Sequence, residues 1–222
     1  MPRRKSTDPR ATLLRVSLLA DLARQNRTLG DPATGLRLVN AGLDLLPRGR
    51  HPAAAAMLWN LKARMLAATG PGAVTEMSSA LKLAEDLLGQ TDATAENALI
   101  AYTGPAELAG NAALAWQDAA AHYPDLARHA DEQARAALAA RPDGFERSKV
   151  FDQISLAAAR FTGIDPDQAA ADGHAALHQA ASIAASHRVQ ARLGTLMIHS
   201  RPYADRPAVK EFRERLRLQL AT

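Results

Sequence analysis

The stretch LGDPATGLRLVNAGLDLLP, residues 29–47, combines an apolar helical stripe with two glycines and closes on a proline. Leu36, Val39, Leu43 and Leu46 recur at offsets of three, four and three, which is one face of an amphipathic helix. Gly30 and Asp31 stop a preceding helix. Pro32 suits the first turn of the next, where a missing N–H removes no helical bond. Gly35 and Gly42 flank the apolar stripe, and each opposes the helix by about 1 kcal/mol relative to alanine. Something tertiary must offset that cost. A missing Cβ lets a neighbouring helix approach, so both glycines are read as close crossings.

The same punctuation divides the remaining chain. A first helix runs from about Ala11 to Thr28, with Leu14, Leu18, Leu22 and Leu29 marking one face. A second hairpin pairs 52–68 with 73–88 across the turn TGPG, and the polar run 89–97 reads as a longer loop. A third pairs 98–121 with 124–141, and a fourth pairs 145–161 with 166–186. Shorter helices are expected near 189–198 and 208–220. No run reads as a strand. The expected fold is all-α, a right-handed α-solenoid of stacked helix hairpins with about ten helices. Residues 1–10 read as a basic disordered tail. Residues 11–222 read as a single helical-repeat domain whose capping helices start near 188.

Counted from Gly30, small residues fall five and twelve positions later, and proline follows at seventeen. That register resembles the second half of a tetratricopeptide repeat, with glycine in place of its usual alanines. Ala130, Ala134, Ala137 and Leu138, closing at Pro142, keep it, as do Ala169, Gly173, Ala176 and Leu177. Three longer strings, AYTGPAELAGNAA (101–113), ALAARPDGFERSKVFDQISLA (137–157) and RPYADRPAVKEFRERL (201–216), resemble the repeat region of actinobacterial transcriptional regulators. Those proteins join an XRE-type helix-turn-helix to a tetratricopeptide-like sensor. The DNA-binding module would precede the repeats, and only some ten residues stand ahead of the first helix. The resemblance therefore implies either the sensor half alone or a stand-alone relative, and bears on the repeat function only.

Composition agrees with helices. Alanine and leucine dominate, aromatics are 4%, and β-branched residues are sparse. The absence of cysteine excludes disulfides, thiolate metal sites and thiol catalysis, and suits a reducing, cytoplasmic setting. Arg15, Asp21 and Arg24 interrupt the N-terminal leucines, which argues against a signal peptide. No apolar run approaches the ~18 residues of a membrane span. The formal charge of +4, from 27 basic and 23 acidic side chains, is mild. It permits contact with nucleic acid without arguing for it.

Reactive chemistry finds little support. His174 and His178 share a helical face, but no glutamate follows the first, and only Asp172 and His187 offer themselves as further ligands. Ser79–Lys82 matches S-x-x-K by tetrapeptide alone, and TGPG is too short to cradle phosphate. Neither an enzyme nor a metal or other cofactor is expected. The tail PRRK at 2–5 reads as solvated, and KEFRERLRLQL at 210–220 as a capping helix.

In tetratricopeptide-like stacks the first helix of each pair lines the concave face. Projected on that register, Arg24, Arg27, Asn60, Arg64, Gln153 and Arg160 are the candidates for contact with a bound segment. Arginine holds a carboxylate through two parallel bonds, so an acidic peptide or protein segment is the expected partner. The expected function is non-catalytic binding, as the sensor or scaffold part of transcriptional regulation. A homodimer is compatible with this reading. The rival is a DNA-associated regulator acting directly through its basic residues. The two readings differ at the bench. The isolated chain is expected to bind duplex DNA weakly, without sequence preference, and to release it at moderate salt. Fluorescence anisotropy across a salt series decides this, and sequence-selective binding near physiological salt would favour the rival.

Overall fold

The computed structural model describes residues 8–91, 100, 102–183 and 186–221. The basic run at 2–5 and most of the polar segment 89–97 lie outside the described residues. Among those described there are ten α-helices and no strand. They are α1 (Pro9–Thr28), α2 (Pro32–Leu45), α3 (Pro52–Thr69), α4 (Val74–Leu88), α5 (Pro105–Ala120), α6 (Ala127–Ala140), α7 (Glu146–Phe161), α8 (Pro166–Ala181), α9 (His187–His199) and α10 (Pro207–Leu220). Single 3-10 turns precede α4, α6 and α10. Consecutive helices pack on one another within each part of the chain, as in a helical repeat.

Local chemistry explains the helix starts. Asp8, Asp31 and Asp165 each accept from a backbone N–H of the following first turn, and a proline stands immediately after each. The Asp8 cap starts α1 at Pro9, so Pro9 and Arg10 are helical, not part of a tail. Helix α5 begins only at Pro105. Proline disfavours helical geometry in the residue before it, which keeps Gly104 out of the helix.

The chain divides into two compact units, and the division falls between Asn111 and Ala112, within α5. In the first unit α3 is central and contacts α1, α2 and α4. Its Met57, Leu58, Leu61 and Met65 join Leu13, Val16, Ala20, Ala23 and Val39 in one core. In the second unit α7 contacts α6, α8 and α9, while α10 contacts α8 and α9. Val150, Ile154, Phe161, Leu193, Leu196, Phe212 and Leu216 fill that core.

The apolar face of α1 is not the leucine stripe that its sequence suggests. Leu14, Leu18, Leu22 and Leu29 are exposed. The buried face carries Leu13, Val16, Ala20 and Ala23, three of them fully inaccessible. The alanines of that face suit the close approach of α2. A Cβ on Gly35 would lie 3.2 Å from the Ala23 carbonyl oxygen and would overlap Met65 Sδ. A Cβ on Gly42 would meet Leu58 Cδ1 at 3.1 Å. The opening glycines are therefore close-approach positions, against α1 and α3 in the first case and α3 in the second.

Gly173 does the same in the second unit. A Cβ there would overlap the Phe212 ring, which is fully buried and cannot swing away like the end of a methionine. Gly194, by contrast, sits inside α9 with nothing within 4 Å of the place a methyl would occupy. The two sites should respond oppositely to alanine. Gly173→Ala is expected to destabilise by about 1–3 kcal/mol through overpacking. Gly194→Ala is expected to stabilise by roughly 0.5–1 kcal/mol through helix propensity. Urea unfolding followed by circular dichroism measures both, and equal effects at the two glycines would contradict the close-crossing account.

Candidate functional site

In the first unit, Tyr102 brings together one of the candidate residues, Arg24 of α1, and Met57 of α3. Its ring is 42% exposed, and its hydroxyl donates to Met57 Sδ on α3 at 3.3 Å. The Arg24 guanidinium of α1 stands 5.9 Å from the ring centroid. Arg24 Nη1 also donates to Asp21 Oδ1 at 2.8 Å, a bond that holds the side chain in place along the helix. A cation over an aromatic face is attracted by the ring quadrupole, and it remains available to a ligand on its outer side. The repeat register does not point to Tyr102, because this residue lies before α5 and outside any helix.

The other candidates of this unit are placed more deeply. Asn60 is only 3% exposed, and its amide donates to the Leu108 carbonyl at 3.0 Å, tying α3 to α5. Arg64, one turn further along α3, donates from Nη1 to Asn111 Oδ1 at 3.0 Å. Asn111 Nδ2 in turn donates to the Glu107 carbonyl and to Glu107 Oε1, both at 3.1 Å. Arg27 is half-buried in the last turn of α1. Asn60 and Arg64 thus fasten α3 to α5, whereas the sequence places them on a surface waiting for a ligand.

In the second unit the two candidates on α7 serve one buried cluster. Arg160 Nε donates to Asp131 Oδ1 of α6 at 2.7 Å, and Nη1 donates to Asp172 Oδ2 of α8 at 2.6 Å. Gln153, 8% exposed, donates from Nε2 to the second oxygen of Asp172 at 3.3 Å. A second buried pair, Arg141 with Asp152 at 2.8 Å, joins the end of α6 to α7. One guanidinium between two carboxylates satisfies both, and each charged-group bond is stronger than a neutral one. Little of Arg160 or Gln153 remains to meet a bound segment.

The reactive-looking motifs are also accounted for. Ser79 Oγ donates to the Thr75 carbonyl at 3.0 Å within α4, as a helical serine often does. The turn TGPG gives Gly70 a positive φ and a single 3-10 turn at Pro71–Ala73. His178 is exposed, and His174 stands edge-on to Phe212 with ring centroids 5.6 Å apart. Asp172 is engaged by Arg160 and Gln153. Among the described residues, no three metal-binding side chains converge.

The Arg160 cluster has a pH signature. Burial holds the Asp172 carboxyl above its ordinary value, against the opposing pull of Arg160. A carboxyl raised in the folded state favours folding while protonated, and that contribution is lost as pH rises through the folded value. Removing Arg160 takes away the opposing cation, so the ionised carboxylates become harder to bury. Arg160→Ala is therefore expected to destabilise by about 2–4 kcal/mol near neutral pH. At acid pH, where the carboxylates are neutralised, the loss should be markedly smaller. Urea denaturation at both pH values measures this, and an equal loss at both would show that the side chain acts through packing alone. No family model matches the chain, and neither the curated proteins nor the solved structures contain a match to it.

Proposed function

We propose that this chain is a non-catalytic helical-repeat protein that binds a peptide or protein segment, as the sensor or scaffold part of transcriptional regulation. The observation that carries the reading is the surface at Tyr102. An exposed aromatic ring, anchored from below by Met57 and covered by the Arg24 guanidinium, combines a rigid apolar platform with a positioned cation. Tyrosine and arginine are enriched at the centres of protein interfaces because they bring large contact area with few torsions to freeze. The regulatory context rests on the resemblance of residues 101–113, 137–157 and 201–216 to the sensor region of XRE-type regulators.

The preferred partner is an acidic segment. Arg24 offers two donors to a carboxylate, and the Tyr102 ring offers a face for an apolar side chain beside it. The helices are formed before binding, which removes part of the ordering cost, so micromolar affinity from a short segment is reasonable, on the order of −8 kcal/mol.

A peptide array of acidic and neutral sequences tests this directly. Tyr102→Ala and Arg24→Ala should each weaken binding of the selected acidic peptides by about tenfold or more. Both are surface positions, so their unfolding midpoints should stay close to that of the unaltered chain. Unchanged binding by both variants would remove Tyr102 and Arg24 from the site. Selection of neutral over acidic peptides would remove the charge argument.

A further inference from the structure

Helices α8 and α10 leave a groove of about 480 Å³ on the second unit. Gly173 sets their approach by admitting the Phe212 ring, and the next residue, His174, stands at the edge of the opening. Leu177, Ala181 and Leu218 provide apolar walls, while His174, His178 and Arg215 provide the polar edge. The same-face spacing is regular: positions 174, 177, 178 and 181 on one helix look toward 215 and 218 on the other.

Among the described residues, two polar groups here have no partner. His174 Nδ1 is buried and makes no hydrogen bond. Arg215 forms no hydrogen bond or ion pair with another described residue, although Glu211 stands one turn before it. His178 is exposed on the same turn of α8 as Ala181. Burial and the nearby Arg215 lower the His174 pKa, while Glu211 pulls it the other way. The imidazole is consequently biased toward its neutral form.

We propose that this groove binds a single carboxylate carried on a short apolar body. Arg215 supplies the cation and the forked donors, the His174 and His178 rings form the polar edge, and the body lies along Leu177, Ala181 and Leu218. With Glu211 one turn before it, the single Arg215 guanidinium leaves little positive charge to spare, which favours a monoanionic carboxylate over a phosphate dianion. Such a carboxylate has two sources, a free organic acid or the C-terminus of a peptide ending in an apolar residue. The site is independent of the Tyr102 surface, which belongs to the other unit.

The test follows the imidazole signals of His174 and His178 by nuclear magnetic resonance on the full chain. The probes are octanoate, octanamide, and a tetrapeptide ending in leucine with a free or an amidated C-terminus. Saturable shifts with octanoate or the free peptide, absent with octanamide and the amidated peptide, are expected. Whichever carboxylate saturates at lower concentration identifies the source. Arg215→Gln should weaken binding by about tenfold or more. Leu218→Glu, at an exposed position that leaves the core intact, should abolish it by placing a like charge at the wall. Arg217→Gln, exposed on the same helix outside the groove, should leave affinity unchanged. The proposal is overturned if neither carboxylate gives a saturable shift, if octanamide binds as well as octanoate, or if Arg215→Gln binds like the unaltered chain while retaining its circular dichroism.

Discussion

Close approach of helix axes is the constraint on which this structure depends. With few aromatics and many alanines, the chain has few large anchors to hold its helices together, and must rely on short distances between them. Gly35 against Ala23 and Met65, Gly42 against Leu58, and Gly173 against Phe212 are positions where one methyl would already intrude. The surrounding alanines, such as Ala20, Ala23, Ala134, Ala157 and Ala176, are fully inaccessible and extend those contacts along each helix. Dispersion falls steeply with distance, so a core of small residues contributes only if its helices touch over their length.

Short distances then dictate where polar groups can go. When helices meet closely, a long side chain at the seam must either leave or find a partner across it. Arg160 finds two, Asp131 and Asp172, and Asn60 finds the Leu108 carbonyl. These bonds specify which helix lies beside which, whereas apolar contacts among alanines tolerate sliding. The Tyr102 surface arises differently. It lies ahead of α5 and outside any helix, with the ring exposed while the hydroxyl donates to Met57 of α3.

Much of the fold was legible in the sequence, because its boundaries are written in proline, glycine and aspartate caps. The pairing of glycine with a leucine stripe at 35–46 correctly indicated close crossings. Its limits appear where spacing alone was asked to choose a face. In α1 two stripes compete, and the Leu14, Leu18 and Leu22 stripe lost to Leu13, Val16, Ala20 and Ala23, whose alanines suit the close approach of Gly35 of α2 at Ala23. The site residues were harder still. Periodicity places Arg160 toward the inside of a repeat, but its partners stand 29 and 12 positions away, and no local pattern announces them. Tyr102 and Arg215 escape the repeat register for opposite reasons: the first lies outside any helix, and the second lies in a helix that reads only as a cap. The spacing of Arg215 and Leu218 on one face of α10 was the available signal.

One turn of α8 restricts how the second unit can move. Asp172 is bonded to α7, Gly173 is pressed against Phe212 of α10, and His174 stands over the edge of that same ring. Three consecutive residues point in directions about 100° apart, one held by α7 and two by the same ring of α10. Rotation of α8 about its own axis would break at least one of these contacts, so that degree of freedom is locked. Tilt and translation survive only if α7 and α10 move with it. Any displacement transmitted through this unit must therefore travel as movement of a three-helix block, not as the turning of a single helix within it.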